Sequence, residues 1–291
     1  MAAPALRTIR QSFDDALPNY PNPNLGVAAH ASISGDSTLN TDPPHFSIAA
    51  QQNWFNLGRI VLGHANIAGP NHAVNRECIY FNEVGTYHNS EGDVVRSAAE
   101  YLLHPVNQVI GGLGAPIRCQ SEATTNRIRS DITYYRGPLA PVAPTPGNPG
   151  HGGNPEYKAI AVVEFKKRGV IKPNEFTTAN RFANPATPPT QQQLDDAAMA
   201  AQNRPNRSYF AGDALILIKQ AASYAIAHRT PYVALFDWDF LVLVHFTQLN
   251  LNNKYAGDFC EVQVIPYAQS QTMRAALLGF MAHAHTHAPV V

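Results

Sequence analysis

The stretch Ala161-Val162-Val163-Glu164-Phe165-Lys166 decides how this chain is read. Together with the residues before it, the run predicts a strand over 158–166. Period-two alternation then sets Glu164 and Lys166 on one side, with Val163 and Phe165 on the other. A second strand is predicted over 125–135, where Asp131 shares its face with Arg127 and Arg129 while Ile128 and Ile132 face the opposite way. Side by side, the two strands offer a carboxylate pair and a lysine. Glu-x-Lys alone is a common pattern on solvated strands and helices. Here it ends an Ala-Ile-Ala-Val-Val run, where an isolated charge is costly unless it is paired or metal-bound. An ion pair at the sheet edge, Glu164 with Arg129 or Lys166 with Asp131, would satisfy the same residues and stays open at this level.

Working outward, a first strand is predicted over 117–122. A helix over 91–103 carries Val94, Val95, Ala98, Ala99, Tyr101 and Leu102 on its apolar side, with Pro105 just past its end. Downstream, a helix over 213–228 sets Gln220 and Tyr224 four apart on one face. After Thr230-Pro231, apolar runs over 232–236 and 240–246 flank Asp237-Trp238-Asp239, the pattern of a hairpin whose first strand is central and covered on both faces. The expected fold class is α/β, a mixed central sheet flanked by helices in the order helix, three strands, helix, two strands.

Residues 1–90 read as an N-terminal extension packed on the core, broken by steps such as Pro18-Asn19 and Pro43-Pro44, and residues 91–291 read as the main domain. Long loops are expected at 137–157 and 182–211, the second with a short helix over 191–201. In the tail, Met273, Ala276, Leu277 and Phe280 form a helical stripe that covers the sheet or contacts another subunit as a homo-oligomer. His283, His285 and His287 alternate, which would suit Zn2+ or Ni2+ on an extended segment; on a helix they spread.

The 21 Lys and Arg balance 21 Asp and Glu, so no global attraction draws this chain to a polyanion, although a local basic groove is compatible with neutrality. Cys78, Cys119 and Cys260 are odd in number and far apart, which excludes a disulfide framework or thiolate knuckle and reads as three buried small residues. No run approaches the roughly 20 apolar residues of a membrane span, and the first residues lack a signal-peptide core; an intracellular protein of cytoplasm or nucleus, with no membrane partner, is the expectation. Neither a dinucleotide-type glycine fingerprint nor a phosphate loop is present.

With Asp131 on the second strand, Glu164-Phe165-Lys166 on the third, and Gln220 and Tyr224 on the following helix, the chain resembles the PD-(D/E)xK nuclease-like superfamily of restriction-endonuclease-like fold. Gln220 and Tyr224 resemble the Gln-x-x-x-Tyr element of its RecB-like branch. Ser130 stands where the name-giving proline would. The wording of Glu164-Phe165-Lys166-Lys167-Arg168-Gly169 and of Tyr232 to Asp239 is similar to uncharacterised fungal members. The likeness covers roughly residues 94 to 246 and leaves the N-terminal third and the tail unaccounted for.

The resemblance implies a hydrolase cutting phosphodiester bonds of DNA or RNA. It implies Mg2+, with Mn2+ as substitute, held by Asp131, Glu164 and the backbone carbonyl of Phe165, and with Glu100 of the first helix as a further acidic ligand. Lys166 would orient the attacking water or steady the transition state, Gln220 would bond a water or Lys166, and Tyr224 would contact the phosphate or the strand being cut. Rival expectations are a non-catalytic nucleic-acid-binding or protein-assembly module on the same fold, and a hydrolase of a non-nucleic phosphoester.

Overall fold

The computed structural model describes residues 7–21, 29–31, 40–64, 75, 77–78, 88–111, 117–125, 128–137 and 158–287. The chain runs β1 (Arg7–Thr8), α1 (Ile9–Ser12), β2 (Phe46–Ala49), α2 (Trp54–His64), β3 (Glu77–Cys78) and α3 (Glu91–Ala98). A π-helical turn (Ala99–Leu103) joins α3 to α4 (His104–Gly111). Then come β4 (Ile117–Thr125), β5 (Ile128–Arg136), β6 (Lys158–Phe165), α5 (Pro173–Ala179), β7 (Asn180–Phe182), α6 (Gln191–Ala201), α7 (Gly212–His228), β8 (Tyr232–Phe236), β9 (Phe240–His245), β10 (Phe259–Pro266) and α8 (Ser270–His287).

The expected mixed sheet flanked by helices is present, but it has eight strands rather than five, in the order β4-β5-β6-β8-β9-β10-β2-β7. Strands β4, β5 and β6 form an antiparallel meander, β8 runs parallel to β6, and β8-β9 is the expected hairpin with β8 central. The extension is therefore not all arm: Phe46–Ala49 enters the sheet parallel to β10 and to β7. Four residues beside a Pro-Pro step carry too little pattern to announce a strand whose partners lie so far along the chain. The first stretch does drape over the body, pinned by Leu17 N–H to Ser270 Oγ at 3.2 Å and Trp238 Nε1 to the Pro18 carbonyl at 3.2 Å.

Alternation along β6 divides the core. Ala161, Val163 and Phe165 face the helices α3, α4 and α8, while Val162 faces the layer built on α7 with Val233, Leu235, Val242 and Val244. Ile128 joins the α7 side although Ile132 packs on the other, so the alternation expected through both isoleucines breaks at the start of β5. Residues 273–280 are buried within this chain beneath the sheet. A Cβ on Gly58 of α2 would lie 1.7 Å from the Ala275 carbonyl oxygen, and one on Gly279 of α8 would lie 1.9 Å from that of Trp54, so two glycines permit the close crossing of α2 and α8.

The histidines of the tail lie within α8, not on a strand. His283 stacks on His287 with centroids 4.0 Å apart, and its Nδ1 meets the Tyr232 hydroxyl at 2.9 Å, so the alternating metal clasp is replaced by aromatic contact on a helix. Cys260 is buried as expected, whereas Cys119 is exposed because β4 is the sheet edge. Arg127, the side chain of Cys78 and, of the loop expected at 137–157, residues 138–157 lie outside the described residues. Among the described residues, no helix is long and apolar enough to cross a membrane.

Pro105 does not end the first helix. A proline cannot donate to the carbonyl four residues earlier, here Tyr101, and its ring crowds that position. The chain widens into the π-helical turn and continues to Gly111. The Tyr101 carbonyl accepts instead from Nε of Arg274 at 2.5 Å, and Nη1 of the same fully buried guanidinium donates to the carbonyls of Ser12 and Asp15, each at 2.7 Å. One arginine thus joins α8, the π turn and the N-terminal arm. Replacing Arg274 with alanine strands these buried carbonyls and is expected to cost about 3 to 5 kcal/mol; urea unfolding of the variant measures it, and a loss under about 1 kcal/mol would show that the carbonyls find other partners.

Candidate active site

The ladder between β5 and β6 pairs Ile132 with Val163, and one step further Asp131 would stand opposite Glu164. Two like charges so placed repel. Each carboxylate instead takes a backbone N–H from the other strand: Asp131 N–H donates to Glu164 Oε2 at 3.3 Å, and Phe165 N–H donates to Asp131 Oδ2 at 2.7 Å.

Glu164 is 6% exposed and Lys166 9%, and Lys166 Nζ donates to Glu164 Oε1 at 2.8 Å. The pairing the strands adopt is therefore Glu164 with Lys166 along one strand, neither of the two cross-strand ion pairs left open by sequence. Arg129 reaches the exposed Glu122 at 3.8 Å. From α7, the buried Tyr224 donates its hydroxyl to Glu164 Oε1 at 2.7 Å. Gln220 lies one turn earlier on α7 and is also buried. Burial first, and then the Glu164 carboxylate, hold the Tyr224 hydroxyl well above the ordinary phenol range, so it remains a donor.

Asp131 lies beside this group on β5. Burial, followed by repulsion from Glu164, pushes its carboxyl up to about 6, against the pull of the Phe165 N–H. Glu91, at the start of α3, is exposed as a residue, yet burial and then Glu164 raise its carboxyl while Lys166 pulls it down. Glu91, rather than Glu100, is the helix carboxylate among the principal charges acting on Asp131 and Tyr224; Glu100 sits half-buried in the π turn. The acidic first turn of α3 was the available sign of it.

A second acid, read from the sequence only as part of a hairpin turn, fixes the site's frame. Asp237, fully buried between β8 and β9, accepts from Gly169 N–H at 3.1 Å and Ile171 N–H at 2.8 Å through Oδ2. Through Oδ1 it accepts from the N–H groups of Asp239 at 3.1 Å and Phe240 at 2.9 Å. Lys166 N–H bonds the Phe236 carbonyl at 2.9 Å, so the exit of β6 is locked to the hairpin beside it. Gly169, with φ +85°, occupies the left-handed backbone that this turn requires. An acid closing an all-apolar run was the signal.

The donor set fits a hard divalent cation. A carboxylate offers roughly four lone-pair sites; the contacts above take three of those on Glu164 and one on Asp131. One lysine stands against two adjoining carboxylates, and Mg2+ is commonly held by one or two carboxylates while keeping several waters. Among the described residues, no group of three or more His, Cys, Asp or Glu side chains is disposed to hold an ion. Comparisons with family models, curated proteins and solved structures return no match to this chain.

The raised carboxyl of Asp131 has a consequence for stability. Its folded value, about 6, stands above its ordinary 3.8, so the folded state holds the proton more tightly. The stabilisation is complete below about pH 4 and is lost as pH rises through about 6. In metal-free buffer, Asp131→Asn should gain about 1 to 3 kcal/mol on the wild type between pH 4 and 7. Urea unfolding at both pH values measures it, and parallel pH dependence in the two proteins would refute it.

Proposed function

We propose that this chain is a metal-dependent nuclease with a restriction-endonuclease-like core, hydrolysing phosphodiester bonds of DNA or RNA. The observation that carries the reading is the meeting of Asp131, Glu164, Lys166 and Tyr224 on one side of the sheet at the exit of β6. The element order supports it: a helix, the β4-β5-β6 meander, α7, and β8 parallel to β6 follow the superfamily's core. The strands β2, β7, β9 and β10 extend the sheet beyond that core.

In this reading Asp131 and Glu164 hold Mg2+, with the Phe165 carbonyl as a further oxygen donor. The ion supplies Lewis acidity toward a bound water and charge neutralisation at the phosphate. The chain's own groups do the rest. The Phe165 N–H aims Asp131, and the Tyr224 hydroxyl and Lys166 together fix the rotamer of Glu164. Lys166 keeps two N–H bonds beyond the one to Glu164, enough to orient a water and to donate to an oxygen on which negative charge grows. Gln220 supports that water from α7.

A non-catalytic binding or assembly module is the second reading, favoured by one observation: Glu164 Oε1 is already satisfied by Lys166 and Tyr224 from within the chain. Two variants separate the readings. Lys166→Ala should lower turnover by about 100- to 1,000-fold while Mn2+ binding persists, because the lysine acts on the reacting groups and not on the ion. Glu164→Ala should lose Mn2+ affinity and cleavage together. Calorimetric Mn2+ titration beside cleavage of labelled single-stranded and duplex DNA and RNA measures both, and undiminished cleavage by Glu164→Ala would reject this site.

A further inference from the structure

Two guanidinium groups cover one tyrosine ring at a distance from the carboxylate pair. Cζ of Arg181 lies 4.5 Å from the Tyr209 centroid and Cζ of Arg204 lies 4.3 Å from it. Arg181 comes from the edge strand β7, and Arg204 from the turn after α6. Both are exposed, while the half-buried Tyr209 is anchored against the cluster of Phe46, Ile48 and Phe259. The two Cζ atoms are thus no farther apart than about 9 Å, a separation at which like charges repel. Among the described residues, neither pairs with a carboxylate. Cation–π attraction at an exposed ring is a modest return for holding them together.

The turn that presents Arg204 is also built at a cost. Asn206 and Arg207 are consecutive residues in the left-handed region, with φ 56° and 51°, which non-glycine residues seldom adopt. It is held there by His45 Nδ1 at 2.6 Å from the Arg207 carbonyl, by Ser208 Oγ donating to the Pro44 carbonyl at 2.8 Å, and by Tyr209 N–H donating to the His45 carbonyl at 2.7 Å. A strained, well-bonded turn thus holds one unneutralised arginine beside another.

We propose that Arg181 and Arg204, braced on Tyr209, bind the phosphodiester backbone of the nucleic acid cut at the Asp131–Glu164 site; the identity of the ligand rests on the nuclease reading above. Guanidinium forks match phosphate oxygens. The Tyr209 ring, covered by both, does not serve as the base-stacking platform that an aromatic beside the cleft would otherwise suggest, so the contact reads backbone and not sequence. Tyr209 also borders the core layer on the α7 side of the sheet, the side from which Tyr224 reaches Glu164. Five strand spacings separate β6 from β7, a distance of about 24 Å. A duplex would need about seven base pairs to span it.

The test measures binding of a labelled duplex of about 20 base pairs by the full chain in metal-free buffer across a salt series, beside cleavage of the same duplex in Mg2+. For Arg181→Gln/Arg204→Gln, the slope of log affinity against log salt should become shallower by about 1.8, with each single variant contributing about half. Arg181→Lys/Arg204→Lys should keep the slope, since it keeps both charges. Duplexes shorter than about seven base pairs cannot reach both sites, so their cleavage should be the same in the Gln variant and the wild type. An unchanged slope in the Gln variants, with the wild type still cleaving, would overturn the phosphate site and leave the nuclease reading intact. A shallower slope in a protein whose Glu164→Ala variant cleaves undiminished would do the reverse, and a wild type that binds no nucleic acid would sink both.

Discussion

Glu164 is a buried carboxylate near the end of β6, and its neighbours are arranged to engage its lone pairs. Burying an ionised group is expensive unless its lone pairs are engaged. Three groups meet that demand: Lys166 just past the end of the same strand, Tyr224 from α7 and the Asp131 N–H from β5, while Glu91 at the start of α3 adds a like charge that opposes them. Each of these segments has to reach its position for the strand to end as it does. Site and fold are therefore one problem in this chain: the helix that covers one face of the sheet also carries the hydroxyl that its buried acid needs.

The same logic recurs at two places remote from any chemistry. Asp237 gathers four backbone N–H groups and ties the turn after Lys166 to the β8-β9 hairpin. Arg274 gathers three carbonyls, one of them that of Tyr101, to which Pro105 cannot donate. Both are buried polar side chains bonded to backbone groups from several segments, so they specify where loops and helix ends lie. Burial raises the carboxyl of Asp237, to about 8, further than that of Asp131, to about 6. At Asp131 burial is the largest cause and repulsion from Glu164 the next. What distinguishes the proposed active site from the structural networks is its partners: side chains, Lys166 and Tyr224, on a carboxylate that faces a second one.

The apolar runs of β6, β8 and β9 and the period of α7 are legible because each is long enough for its periodicity to dominate. The same periodicity places Glu164 and Lys166 on one face and Gln220 with Tyr224 on another. It says less where an element is short or where its partner is distant. Phe46–Ala49 has no pattern of its own and becomes a strand only because β10 and β7 provide hydrogen-bonding edges. Pro105 signals a helix end by local rule, yet the chain widens into a π-helical turn and continues, with an arginine from the C-terminal helix donating to the Tyr101 carbonyl.

By itself the sequence determined the α/β class, the order of the central elements, and the acids, lysine and tyrosine that share the site, since alternation and helical period are properties of neighbouring residues. Tertiary structure alone decided that the sheet of the described residues has eight strands, that Lys166 pairs along its own strand instead of across to Asp131, and that Glu91 is among the charges acting on the carboxylate pair. The reason is physical. Strand pairing, burial and the field at a carboxylate are set by groups brought together from distant parts of the chain, and no local period encodes which of them arrive.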